Sequence, residues 1–169
     1  MMSTNALIIK LPRDLGLADS LSKSTLNRFA YVKLALVSTL PLLVFQTLYS
    51  LRTRLKANVP WPRVQAEPEE AEKSFEKMKF NCVQRAHHNT LENLPLIYLT
   101  TILTGLKYPV FAASACGLWV LTRIAYTRDY GSGIPSKRNL SARTGIFILW
   151  TLIGVSIYSS VNDVLPLLA

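Results

Sequence analysis

Charge is scarce in this sequence. Only 17% of its 169 residues are Asp, Glu, Lys or Arg, against roughly 25% in soluble domains. Histidine occurs twice, as the adjacent pair His87–His88. Neighbouring helical residues diverge by ~100°, so the two rings cannot grip one ion, and no second pair completes a shell; no metal is expected. Cysteine also occurs twice, as Cys82 and Cys116 on different predicted helices. Cys82 lies near a helix end expected in the cytosol, where stable disulfides are unusual, so both read as reduced structural thiols. The seven glycines form no phosphate-cradling loop, and neither a zinc-protease motif nor a serine elbow is present. No internal repeat or discontinuous helix supports a channel or transporter.

What the sequence has in quantity is apolar surface. Half of the residues are hydrophobic, and the mean hydropathy is +0.24. Uncharged runs cover Leu34–Leu51 (18 residues), Asn93–Leu106 (14), Tyr108–Thr122 (15) and Thr144–Asn162 (19). A membrane-spanning helix needs ~20 mostly apolar residues, so the first and last runs qualify alone. The middle two reach that length by extending into polar sequence that faces a bundle interior. Unsatisfied backbone groups exclude most other spanning structures. The expected fold is all-α, an integral membrane four-helix bundle with helices at about 31–51, 80–106, 108–127 and 141–162. A tail at 1–30 precedes it and a short one at 163–169 follows.

The net charge of +9 comes from 19 Lys and Arg against 10 Asp and Glu. A basic chain invites a nucleic-acid reading, but the distribution does not support one. Twelve cations fall in the connections on either side of the middle hairpin. They are Arg52, Arg54, Lys56, Arg63, Lys73, Lys77 and Lys79 before it, and Arg123, Arg128, Lys137, Arg138 and Arg143 after it. The other side holds six, Lys107 and five in the tail. The excess places both basic connections in the cytosol.

The tail contains no apolar core of the kind signal peptides carry, and Asp14 and Asp19 weaken a mitochondrial presequence. It reads as mobile or surface-lying. Pro41 predicts a kink in the first helix. The connection from Arg52 to Lys79 is a polar loop with Pro60, Pro62 and an acidic patch, Glu67, Glu69, Glu70, Glu72 and Glu76, read as solvated surface. Lys107-Tyr108-Pro109 is a turn tight enough for an antiparallel hairpin, and Gly131–Pro135 reads as a loop.

Two stripes could carry chemistry. At the start of the second helix Arg85, Asn89 and Glu92 (i, i+4, i+7) share a face. Charges at that depth demand either a ligand or an internal Arg85–Glu92 ion pair, and the spacing alone leaves both open. At the end of the third helix Arg123, Tyr126 and Tyr130 (i, i+3, i+7) share another, which fits an interfacial aromatic belt as well as a site. Convergence favours a site: Arg52, Arg85, Arg123 and Arg138 all approach one surface. Guanidinium forks clamp carboxylates, a glutamate takes an ammonium group, and an arginine favours a thiolate over a thiol.

The run Phe80-Asn-Cys-Val-Gln-Arg-Ala-His-His-Asn-Thr-Leu-Glu-Asn-Leu-Pro95, Arg123-x-x-Tyr126-x-x-x-Tyr130 and Gly133-Ile-Pro-Ser-Lys-Arg138 resemble signatures of the membrane-associated proteins in eicosanoid and glutathione metabolism (MAPEG). The likeness is strongest to the type 3 microsomal glutathione S-transferase branch, and covers about 31–161. It implies a homotrimer that conjugates glutathione to lipophilic electrophiles and reduces lipid hydroperoxides in the endoplasmic reticulum membrane or the mitochondrial outer membrane. A non-catalytic scaffold or accessory subunit of a larger complex is the alternative. The resemblance implies that Arg52, Arg85, His87, Asn89, Glu92, Arg123, Tyr126 and Tyr130 hold glutathione, the co-substrate, and that Arg138 stabilises its thiolate, with Lys137 or Arg143 as alternatives. His87 and Asn93 depart from residues found in relatives, and the long tail departs from the family's short N-terminus.

Overall fold

The computed structural model describes residues 23–168, which contain helices and no strand. The first helix is α1 (Lys23–Val37), continued almost in line by α2 (Thr39–Ala57). It is already helical at Lys23, the first described residue, and so extends well before the expected Tyr31, since a helix continues through polar residues that an apolar run does not count. The remainder of the expected tail, residues 1–22, lies outside the described residues. The interruption falls at Ser38, three residues before Pro41. Proline lacks an N–H and its ring presses on the carbonyl four residues back, here that of Val37, so the break precedes the proline that causes it. Ser38 closes the gap by donating its hydroxyl to the Ala35 carbonyl at 2.6 Å.

α2 runs past Leu51 to Ala57 and stops at Asn58, which adopts a left-handed conformation (φ 50°) and returns its N–H to the carbonyls of Arg54 and Leu55. The connection that follows holds a short helix, α3 (Pro68–Lys73), where a loop was expected. It is tied down throughout. Asn81 accepts from the Ala66 N–H at 2.8 Å and donates to its carbonyl at 2.9 Å. Arg63 meets Glu70 at 2.7 Å and Lys77 meets the same carboxylate at 3.3 Å. The hydrogen bond from Arg63 holds the Glu70 carboxyl below its ordinary range, with Lys77 assisting. Part of the acidic patch read as solvated surface therefore clasps the connection.

α4 (Phe75–Lys107) is the longest helix, starting five residues before the expected Phe80 under a Ser74 cap. Tyr108 alone separates it from α5 (Pro109–Tyr130), so the two are antiparallel neighbours. After α5 the chain turns through Gly133, which takes a φ of 79° that side chains rarely adopt. A 3-10 turn (Pro135–Arg138) then leads into α6 (Asn139–Val164) and a second 3-10 turn (Leu165–Leu167), so most of the expected C-terminal tail is helical.

The packed helices invert the polarity of a soluble protein. Gln46, Thr39, Thr90, Thr101, Thr104 and Thr127 are fully buried, while Leu34, Val44, Leu99, Leu121, Phe147 and Trp150 are exposed. Gln46 Nε2 donates to Thr90 Oγ1 at 2.9 Å and to Thr127 Oγ1 at 2.7 Å, joining α2, α4 and α5 through one amide. Trp119, Leu42, Ile97, Cys116 and Leu152 fill the apolar part of the core. Cys82 and Cys116 are both buried and unbridged. Three helical stretches, Arg28–Ala57, Pro109–Tyr130 and Pro135–Leu167, are long and apolar enough to cross a membrane. α4 carries too much polar sequence in its first half to join them on composition.

Candidate functional site

Antiparallel packing brings the first turns of α4, the last turns of α5 and the first turns of α6 to one end of the molecule. There they enclose a cavity of about 450 Å³. Each helix contributes a face set by helical spacing: Arg85, Asn89 and Asn93 from α4, and Trp119, Arg123 and Tyr126 from α5. Arg138, at the end of the 3-10 turn, and Arg143, on the first turns of α6, complete the wall.

Arg123 lies at the centre and is 2% exposed. Its Nη1 donates to Asn89 Oδ1 at 2.7 Å, and its guanidinium lies 4.6 Å from the Tyr126 ring and 5.4 Å from that of Trp119. Its Nε is buried without an acceptor, and no carboxylate pairs with it among the described residues. A buried cation with one N–H unsatisfied is held at a cost that a bound anion would relieve.

Gly145 makes that position possible. A Cβ built on it would come within 2.5 Å of Arg123 Nη2 and 3.0 Å of Thr122 Oγ1. A side chain at this position would press on the guanidinium as it stands, so the glycine is what lets α6 approach Arg123 this closely.

Arg138 is anchored from the other side. Its guanidinium stacks 4.1 Å above the Tyr130 ring and its Nη1 donates to Tyr126 Oη at 3.4 Å. Tyr126 and Tyr130 meet edge to face, 5.7 Å apart. The α5 stripe thus serves as a platform for two arginines, more than a belt facing lipid.

On α4 the internal ion pair considered from spacing is present, with Arg85 Nη1 3.7 Å from Glu92 Oε1. Both side chains are about half exposed, and such pairs contribute ~0–1 kcal/mol. Asn89 Nδ2 reaches the other Glu92 oxygen at 3.5 Å. Glu92 therefore stands at the rim, coupled to Arg85 and Asn89 without lining the cavity itself.

Of the residues the sequence singles out, Arg85, Asn89, Arg123, Tyr126 and Arg138 line the cavity, and Glu92 and Tyr130 touch residues that do. Arg52 does not: it is exposed on α2, away from the cavity. His87 is half-buried a face away, beside His88, and Lys137 is exposed outside the wall. Arg143 lines the cavity with Arg138, so two of the three candidate activating cations are in place. Trp119, Asn139 and Gly145 were missed. Trp119 was legible as the position one turn before Arg123; nothing distinguishes Gly145 from any small residue on an apolar helix.

Four guanidinium groups thus line one cavity, with one carboxylate at its rim. The arrangement suits a small ligand bearing several anionic centres and one cation, and an arginine beside a thiol would favour its ionised form. Compared with known protein families, the chain matches the MAPEG family over residues 32–158.

Proposed function

The chain belongs to the MAPEG family, and from that premise we propose that it is a membrane-bound glutathione transferase and lipid hydroperoxide peroxidase. The family is one of membrane proteins and includes both glutathione transferases and non-enzymatic members; with its several apolar helices the chain is a multi-pass membrane protein. The single observation that carries the reading is the charge balance of the cavity. Arg85, Arg123, Arg138 and Arg143 face a space of about 450 Å³ with Glu92 at its edge. Glutathione presents two carboxylates, an ionisable thiol and one ammonium group, which is the complement of that wall.

In this reading α4 is the fourth spanning helix, with its polar first half given over to the site. Arg123 and Arg85 take the carboxylates, Glu92 the ammonium group, and Tyr126 and Tyr130 hold Arg138 in place. Arg138 lowers the thiol pKa from about 8.5, so that a thiolate stands ready at neutral pH. The thiolate sulfur attacks an electrophilic carbon, forming a C–S bond as the leaving bond breaks and the released electron pair takes a proton. With a hydroperoxide, the sulfur takes the terminal oxygen as the O–O bond breaks, giving a lipid alcohol and a sulfenic acid. A second glutathione then reduces that acid to disulfide and water. Positioning and electrostatic stabilisation of the nucleophile supply the rate.

The functional unit is a homotrimer, in which Arg52 and His87, both outside the cavity of one chain, could reach a ligand held between neighbours. The membrane is that of the endoplasmic reticulum, with the mitochondrial outer membrane as the alternative. One observation favours a second reading, a scaffold without turnover: Arg85 and Glu92 already pair with each other at the rim. Purified protein supplied with glutathione, a model electrophile and a lipid hydroperoxide separates the two. Turnover lost in Arg138→Ala with glutathione still bound supports the enzyme. Binding without turnover in the wild type supports the scaffold, and absence of both refutes the site.

A further inference from the structure

We propose that the recess where α2 ends binds the phosphate of a membrane phospholipid, a site separate from the arginine-lined cavity. The recess is about 280 Å³ and is lined by Arg54, Leu55, Asn58, Val59, Pro60 and Trp61. Arg54 is 5% exposed, yet no carboxylate pairs with it among the described residues. Its Nη1 donates to the carbonyls of Arg63 at 2.7 Å and Val59 at 3.4 Å. Its guanidinium plane is covered by the rings of Trp61 at 4.0 Å and Phe80 at 4.9 Å. These contacts fix the fork and leave its charge uncompensated, since carbonyl dipoles and ring faces carry no net negative charge.

The surroundings select a lipid over a soluble anion. The recess sits at the end of a stretch long and apolar enough to span a membrane, Arg28–Ala57, where a spanning helix leaves the hydrocarbon core. Val44, Leu48, Leu51 and Leu55 (i, i+4, i+7, i+11) form one exposed face of α2 that leads up to it. Trp61 is exposed at the rim, where an amphipathic ring is at home between acyl chain and water. A phosphodiester at Arg54 with its acyl chain along the leucine face matches charge to charge and apolar to apolar.

The test is the phospholipid phosphorus that co-purifies with the full chain after delipidating washes, followed by titration with phosphatidylglycerol in detergent. Asn58→Asp adds a negative charge to the recess isosterically at an exposed position. Leu55→Glu does so at the exposed rim, and neither removes a contact that Arg54 makes. Saturable binding in the wild type, weakened about tenfold or more in both variants at unchanged helicity, is expected. Equal binding in all three proteins overturns the proposal. So does full displacement by millimolar inorganic phosphate, which would mark a site for the free anion. Glutathione binding is measured on the same samples; its loss in the wild type would refute the cavity reading and leave this one standing.

Discussion

The two ends of the molecule handle charge in opposite ways. At the end where α4 meets α5 through Tyr108, Lys107 faces Asp163 at 2.7 Å, a surface pair with one charge of each sign. At the other end four arginines share a cavity with one rim carboxylate, and the most buried of them has an unsatisfied N–H. Balanced charge there joins the end of α4 to that of α6. Unbalanced charge here leaves a place for something the chain does not contain.

The largest effect should come from the residue that carries most of that imbalance. Arg123→Met removes a buried cation and leaves Asn89 without its donor. Glutathione affinity should fall by ~2–5 kcal/mol, roughly 30-fold or more, by calorimetric titration. A change under about threefold would mean that the imbalance is not a ligand site.

Gly145→Ala should come next. The added methyl would press on Arg123 Nη2 and shift the guanidinium within the cavity, and a drop of roughly 10- to 100-fold in kcat/KM, at near-normal melting temperature, is expected. Full activity would show that the guanidinium relocates freely, and would weaken the contrast between the two ends.

Gln46→Leu tests whether buried polarity elsewhere is merely structural. It deletes the amide bridging Thr90 and Thr127, for which interhelical hydrogen bonds in membranes suggest ~0.6–1.7 kcal/mol. Thermal stability should decrease while the glutathione Kd stays unchanged.

A smaller effect is expected from pH at the α2–α4 connection. Glu70 is held below the ordinary carboxylate range, so its stabilisation is complete at neutral pH. It is lost as pH falls below about 4 and the carboxylate is protonated. Backbone amides of residues 58–74 should lose exchange protection over that range, and Glu70→Gln should abolish the acid dependence. The smallest effect belongs to the opposite end. Lys107 and Asp163 meet at 2.7 Å, yet the pair is exposed, and Lys107→Ala should leave both melting temperature and ligand binding within error.

Much of this was legible because helices in lipid announce themselves by length. Uncharged runs marked the middle of the first helix and much of α5 and α6 without fixing their ends, and the helical spacing of Arg85, Asn89, Arg123 and Tyr126 put them on the faces they occupy. What escaped depends on distances across helices. Between Arg52 and Arg54, spacing gives no reason to prefer either; packing buries Arg54 in a separate recess and leaves Arg52 exposed, with neither in the arginine-lined cavity. The run of glutamates before α4 gave no sign that Glu70 would take both Arg63 and Lys77. Gly145 is decisive through what lies opposite it, which a linear chain does not record.

That glycine has a further consequence, for the rotational register of α6. One residue of slippage turns the helix by ~100°, bringing the side chain of Thr144 or Ile146 to the spot where Gly145 presents only hydrogen. Arg123 would be forced out at once. The helix that carries Arg143, and follows directly on Arg138, is thus favoured in the angular setting that turns Gly145 toward the guanidinium. The same contact that shapes the cavity thereby helps to set the register of α6.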